Sequence, residues 1–246
     1  MQLGQFVSHD WEIGPAEVLV RRIDIEEIAP ESSITISPAH GSALTAAENE
    51  VWQSLAPGSS RQHEWLLGRL VLKEVVRAWA QERGHQLASN DVEIHIDEGG
   101  APYARCALLS GVGGPPVISL SHNSGVVVAA AAEPGSLIGI DIEYADRRMQ
   151  VVARALTPME TDFVTAEAAS VLDLLVAKEA ATKALGVGLG GAVARWPVAS
   201  VTALIEGLLV EVHSASDPSL VLPVLVLHPL DTVLGICYVA PDIDAA

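Results

Sequence analysis

Lysine is nearly missing from this chain, with three in 246 residues, at Lys73, Lys178 and Lys183. Lysine and arginine together number 14 against 31 aspartates and glutamates, a formal net charge of −17. A general nucleic-acid binder needs a basic footprint to displace counterions, so that class is excluded. Aromatics are scarce at 4 % while half the residues are hydrophobic, so the core must be built from Val, Leu, Ile and Ala. Cys106 and Cys237 have neither the density of a disulfide framework nor metal-ligand spacing, and read as two ordinary thiols. No apolar run approaches the roughly 18 residues of a membrane span, so no membrane partner is expected. The first residues, "MQLGQFVSHDWEIG", lack the basic and apolar regions of a signal peptide, and a cytoplasmic address follows.

At 246 residues the chain is one large domain or two of ordinary size. Residues 1–40 read as short strands, the best at Val18–Ile23 and Ile34–Ile36. "LTAAENEVWQSLA" then predicts a helix, with Thr45 as N-cap and Glu48 at the capping-box position. A long amphipathic helix is expected from about Arg61 to Arg83, ended by Gly84. Strands are expected at Val92–Ile96, Tyr103–Leu108, Val117–Ser121, Val126–Ala132 and Leu137–Glu143. "LTPMETDFV" repeats the cap pattern with Thr157, Pro158 and Glu160, and a further helix spans about Ser170 to Leu185. Strand-like runs fill Val198–Val239.

An internal echo runs through these elements. "LTAAE" precedes a helix carrying Lys73-Glu74, and "LTPME" precedes one carrying Lys178-Glu179. Leu-Thr-x-x-Glu is also a common cap. The sharper reading is a duplicated α/β unit, giving two halves, 1–134 and 135–246, with the site in the cleft between them.

Four stretches could carry chemistry. In "LIGIDIEYADRR", Asp141 and Glu143 share one face of the expected strand. Two carboxylates together, with no cation between them, suit Mg²⁺, which takes few hard oxygen ligands beside water and phosphate; the plain alternative is a solvated strand end. In "LLVAKEAATKALG", Glu179 and Lys183 are one helical step apart on an otherwise uncharged helix. An exposed ion pair is the default for such spacing. A helix apolar nearly all round is usually buried, however, and buried charges need partners. That favours a third metal carboxylate, Glu179, with Lys178 and Lys183 as phosphate-binding cations. "SLSHNSG" places Ser121 and His122 in a turn that could meet an anion, without the G-x-S-x-G of a nucleophile elbow. "SSRQHEWLLGRLVLKEVV" sets Arg61, Arg69 and Lys73 on one broad helix side, where snorkelling basic residues are the simpler account.

Taken together, "RQHEWLLGR", "SLSHNSG", "GIDIE" and, 35 residues after Glu143, "KEAATKALGVGL" resemble the 4′-phosphopantetheinyl transferases. The length and the two similar halves look like the larger Sfp-like type, a pseudo-twofold α/β (α+β) monomer, rather than the short type that trimerises. The resemblance implies transfer of phosphopantetheine from coenzyme A to a serine of an apo acyl or peptidyl carrier protein, with release of 3′,5′-ADP. It implies that Asp141, Glu143 and Glu179 hold Mg²⁺, with Mn²⁺ as an alternative, and that Lys183 binds phosphate. Ser121, His122 and Arg61 would meet the coenzyme's phosphates, with Lys178 a further candidate. The base for the serine proton is Glu179 or a water on the metal.

Two positions depart from the family's pattern. Gly100-Ala101-Pro102 stands where Gly-Lys-Pro is common, removing a phosphate-contacting cation, and Leu175 replaces an aromatic. Ala101 favours a non-catalytic carrier-binding domain as the competing reading, and a Mg²⁺-dependent phosphohydrolase is another. A partner at −17 cannot attract an acidic carrier at long range. An apolar groove, or tethering as a domain of a larger synthase, would serve instead.

Overall fold

A computed structural model of the protein describes residues 8–11, 18–24, 43–123, 125–147 and 155–241. The strand expected at 34–36 lies outside the described residues. Contacts divide the chain into two compact units, Met1–Asp97 with Pro102–Pro134, and Glu98–Ala101 with Gly135–Ala246.

The first unit holds a six-stranded antiparallel sheet in the order β1-β2-β6-β5-β4-β3. Its strands are β1 (Ser8–Trp11), β2 (Leu19–Asp24), β3 (Glu93–Ile96), β4 (Pro102–Arg105), β5 (Val117–Asn123) and β6 (Val126–Ala132). Among the described residues, two helices, α1 (Ala46–Ser54) and α2 (Ser60–Glu82), lie between β2 and β3. Leu67, Val71, Val75 and Trp79 of α2 pack on Ile94, Ile118, Val127 and Ala129 of the sheet. Each such side chain, fully withdrawn from water, contributes about 1.5–3 kcal/mol.

The second unit repeats the plan with five strands in the order β7-β11-β10-β9-β8. These are β7 (Leu137–Tyr144), β8 (Val198–Ala203), β9 (Gly207–His213), β10 (Val221–Leu227) and β11 (Thr232–Val239). Helices α3 (Pro158–Thr165) and α4 (Val171–Ala184) separate β7 from β8. Numbered from its first strand after β1, the first sheet runs one-five-four-three-two, which is also the order of the second. The two strand orders therefore match, and among the described residues two helices follow the first of the five strands in each unit.

Both short helices open as the sequence predicts. The Thr45 and Thr157 hydroxyls accept from the Glu48 and Glu160 amides, and those glutamates reach back to the cap amides at 2.8 and 2.9 Å. Two expected boundaries move. The strand beginning near Tyr103 stops at Arg105, and a 3₁₀ turn over Ala107–Val112 buries Leu109 while leaving Leu108 exposed. β5 runs on through Ser121, His122 and Asn123, because these residues keep their ladder with Val128, Val127 and Val126; they are strand, not turn.

Candidate functional site

β7 pairs with β11, and its apolar approach, Ile138 to Ile140, ends at the acidic pair. Asp141, opposite Gly235 of β11, is buried, and Glu143 lies two residues on, opposite Val233. The register puts both on the face carrying Gly139, against which α4 packs. A Cβ on Gly139 would run into the Ala180 carbonyl and lie 2.5 Å from the Ala184 nitrogen. A Cβ on Gly235 would lie 2.8 Å from Val176 Cγ1. The two glycines thus let α4 lie almost on the backbone of β7 and β11.

That close approach delivers Lys183 to Asp141. The ammonium donates to Asp141 Oδ1 at 2.7 Å and to the Ile140 carbonyl at 3.0 Å. Glu143 is paired with Arg147 just beyond the strand end. Glu179, one helical turn before Lys183, completes the group. Burial, then the Asp141 charge, raise its carboxyl above the ordinary glutamate range; Lys183 pulls the other way, Glu143 adds to the rise and Arg147 opposes it. Three carboxylates and two cationic side chains thus act on one another here.

The donor set of three carboxylates is the chemistry a hard divalent cation requires. Among the described residues, no three His, Cys, Asp or Glu side chains are gathered closely enough to hold a metal ion. Lys183 and Arg147 stand against Asp141 and Glu143 instead.

Lys178 requires a correction. It was expected to meet phosphate, yet its ammonium is fully buried, 2.6 Å from Glu160 Oε1 and donating to the Val193 carbonyl at 3.1 Å. Burial pushes the Lys178 ammonium below the usual lysine range, and the hydrogen bond to Glu160 partly restores it. With α4 apolar nearly all round, this lysine is closed off within the second unit. Lys73, expected to snorkel, is likewise buried, 2.5 Å from Glu48 and bonded to the Ala43 and Ser89 carbonyls.

In the first unit, Arg61 is exposed in the first turn of α2 and Ser121 is buried on β5. His122 is exposed, with its Nε2 3.9 Å from Glu64, one helical turn after Arg61. A Cβ on Gly68 would come within 3.1 Å of Leu120, so the same glycine device seats α2 on β5. His122 and Glu64 therefore meet where α2 begins and β5 ends, with Arg61 one turn earlier on α2, while Ser121 projects from the opposite face of β5. Sequence reasoning missed Glu64, Gly139, Arg147, Glu48 and Glu160 as members of these groups. For the two buried glutamates the signal was present, since each shares its Leu-Thr-x-x-Glu with a lysine on the next helix.

The structure thus brings Asp141, Glu143, Glu179 and Lys183 to one close-packed strand–helix pair, β7 and α4. Residues 137–207 match the model of the 4′-phosphopantetheinyl transferase superfamily. The resemblance carried by the motifs is therefore shown for the segment holding Asp141, Glu143, Glu179 and Lys183. A holo-[acyl-carrier-protein] synthase of Bacillus subtilis (strain 168) is 37 % identical over 68 residues, covering 27 % of this chain and 54 % of its own. The chain thus spans about half the length of that relative. The crystal structure of Thermotoga maritima holo-[acyl-carrier-protein] synthase aligns with 50 % of this chain and 67 % of its own, at 17 % identity and a TM-score of 0.33.

Proposed function

We propose that the protein transfers 4′-phosphopantetheine from coenzyme A to a serine of an apo acyl or peptidyl carrier protein, as an Sfp-like transferase of two halves with their sequence boundary near residue 134. The observation that carries this reading is that the family-matched segment contains all four charged motif residues, and that the fold packs their two elements, β7 and α4, against each other. The Bacillus subtilis relative, a holo-[acyl-carrier-protein] synthase, supports the same class.

In the proposed reaction the carrier serine oxygen attacks the phosphorus bearing the pantetheine arm. A serine–phosphorus bond forms, the pyrophosphate P–O bond breaks, and 3′,5′-ADP leaves with the electron pair. Such transfers depend on in-line positioning and charge neutralisation more than on covalent help from the protein. To hold Mg²⁺, Asp141, Glu143 and Glu179 would have to draw closer together and release Lys183 and Arg147, and the metal would then supply charge neutralisation at the phosphates. Lys183 exchanges its Asp141 contact for the coenzyme's phosphate oxygens. Glu179 or a water on the metal would take the serine proton. Arg61, Ser121 and His122 are assigned to the coenzyme's 3′-phosphate and pyrophosphate, and Lys178 is not among the ligands.

The test is the intact mass of an apo carrier after incubation with this protein, coenzyme A and Mg²⁺. A gain of one phosphopantetheine, absent with chelator and with Glu179→Gln, is the expected result. No gain with several unrelated carriers, together with no coenzyme A binding, would overturn the proposal.

A further inference from the structure

The two buried lysines sit in the same network, once in each unit. In the second, Glu160 accepts from the Thr157 amide at 2.9 Å and the Val198 amide at 2.8 Å while pairing with Lys178, which donates to Val193. One carboxylate and one ammonium therefore tie together the start of α3, the middle of α4, the 3₁₀ turn Val193–Arg195 and the first residue of β8. In the first unit, Glu48 accepts from the Thr45 amide at 2.8 Å and the Ile94 amide at 3.0 Å. Its partner Lys73 donates to Ser89 in the 3₁₀ turn Ser89–Asp91 and to Ala43. The parts correspond one for one: cap amide, strand amide, turn carbonyl.

The residues around the two lysines do not correspond. Glu74, which follows Lys73, is exposed, and the residue four further on is Ala78. Glu179 follows Lys178, and the residue four further on is Lys183, bonded to Asp141. The network thus occurs in one unit without the charged pair and in the other beside it. On α4, Lys178 lies about 100° from Glu179 and about 140° from Lys183 around the helix axis. A helix held at Lys178 cannot roll, so Glu179 and Lys183 stay turned towards β7.

We infer that Glu160 and Lys178 form a positioning clamp that fixes the rotation of α4, and that Lys178 contributes to the reaction through this clamp and not by binding phosphate. The kinetic part rests on the transferase reading above, whereas the part concerning α4 does not.

The experiment compares Glu160→Gln/Lys178→Met with the corresponding change in the first unit, Glu48→Gln/Lys73→Met. Three quantities are read: kcat and KM for coenzyme A, coenzyme A binding by calorimetry, and amide exchange resolved to α4. For the second-unit variant the clamp predicts kcat at least about tenfold lower, KM and binding constant within about threefold, and faster exchange across α4. The first-unit variant should leave kcat and α4 exchange as in the parent. A tenfold weaker coenzyme affinity with α4 exchange unchanged would make Lys178 a ligand and overturn the inference. Equal losses of kcat in both variants would also overturn it, since the pairs would then serve stability alone. Should the double variant not fold, Glu160→Gln, which keeps an acceptor for the Val198 amide, is read by the same criteria. If the parent transfers nothing, the transferase reading fails by itself, and exchange and coenzyme binding still decide the clamp.

Discussion

Gly139→Ala adds one methyl group and should disable the site more than a substitution of any neighbouring surface residue. The new Cβ would lie 2.5 Å from the Ala184 nitrogen, closer still to the Ala180 carbonyl, and real Cβ atoms keep at least 3.0 Å. Helix α4 must therefore move off β7 by at least 0.5 Å for the nitrogen alone, and by more for the carbonyl. Neither obstacle is a flexible side chain, so no rotamer change relieves it. Overpacking of this kind costs about 1–3 kcal/mol, which for a chain of this size lowers Tm by roughly 2–12 °C. The same displacement stretches the 2.7 Å Lys183–Asp141 contact and carries Glu179 with it. Misplacement approaching 1 Å at a reacting centre costs up to about a hundredfold in rate. Carrier modification followed by intact mass gives the rate, and differential scanning fluorimetry gives Tm. Gly235→Ala is the calibrating variant: its Cβ would lie 2.8 Å from Val176 Cγ1 and 3.0 Å from the Val176 carbonyl, longer than either Gly139 approach, so its effect should be smaller on both scales. A Gly139→Ala protein with parental Tm and rate would refute the argument that this glycine seats α4.

Glu179→Gln should raise stability at neutral pH. A carboxyl raised in the folded state makes the ionised form unfavourable there, so stability falls as pH rises from the ordinary glutamate range to the raised value, and the penalty persists above both. The gain from Gln should therefore shrink as pH drops below the ordinary range, as urea melts at several pH values would show; a gain that grows on acidification would contradict the raised carboxyl. Thr157→Ala and Thr45→Ala each remove a capping-box acceptor and should cost about 0.5–2 kcal/mol by chemical denaturation. Carrier modification should hold steady or rise between low and physiological salt, because screening weakens the repulsion between a protein at −17 and an acidic carrier. A rate falling steeply with salt would refute apolar docking.

What could be read from the sequence depended on how local the determining interaction is. Thr45 with Glu48, and Thr157 with Glu160, sit three residues apart, so both helix starts were legible. Ser121 and His122 were assigned to a turn because Ser-His-Asn-Ser-Gly looks like one, whereas their strand is held by pairing with β6. Asp141, Glu143, Glu179 and Lys183 were legible as a group through their motifs, and the strand and helix periodicities gave their faces. Lys178 was not: an ammonium on an apolar helix is equally consistent with a ligand and a buried ion pair, and its partner lies 18 residues earlier on another helix. Gly139 could not be read at all, since its role exists only once α4 is laid across β7.

The repeated glutamate–lysine pair also answers why a chain so poor in lysine places one of them where desolvation works against it. In both units burial lowers the lysine below its ordinary range, so each pair carries an electrostatic cost. Replacing a buried ion pair by apolar residues is often neutral or favourable. Here it would not be, because the pair also serves backbone groups. Removing Glu160 and Lys178 for leucine or methionine would strip the Thr157 and Val198 amides and the Val193 carbonyl of their partners. Each orphaned group costs about 1–3 kcal/mol when buried. The ionic contact is therefore incidental to the stability it seems to supply: the frame needs two acceptor oxygens and a donor reaching from helix to turn, and a glutamate with a lysine provides all three. Two of the three lysines are accounted for by that requirement, once per unit, and only Lys183 remains for the anion.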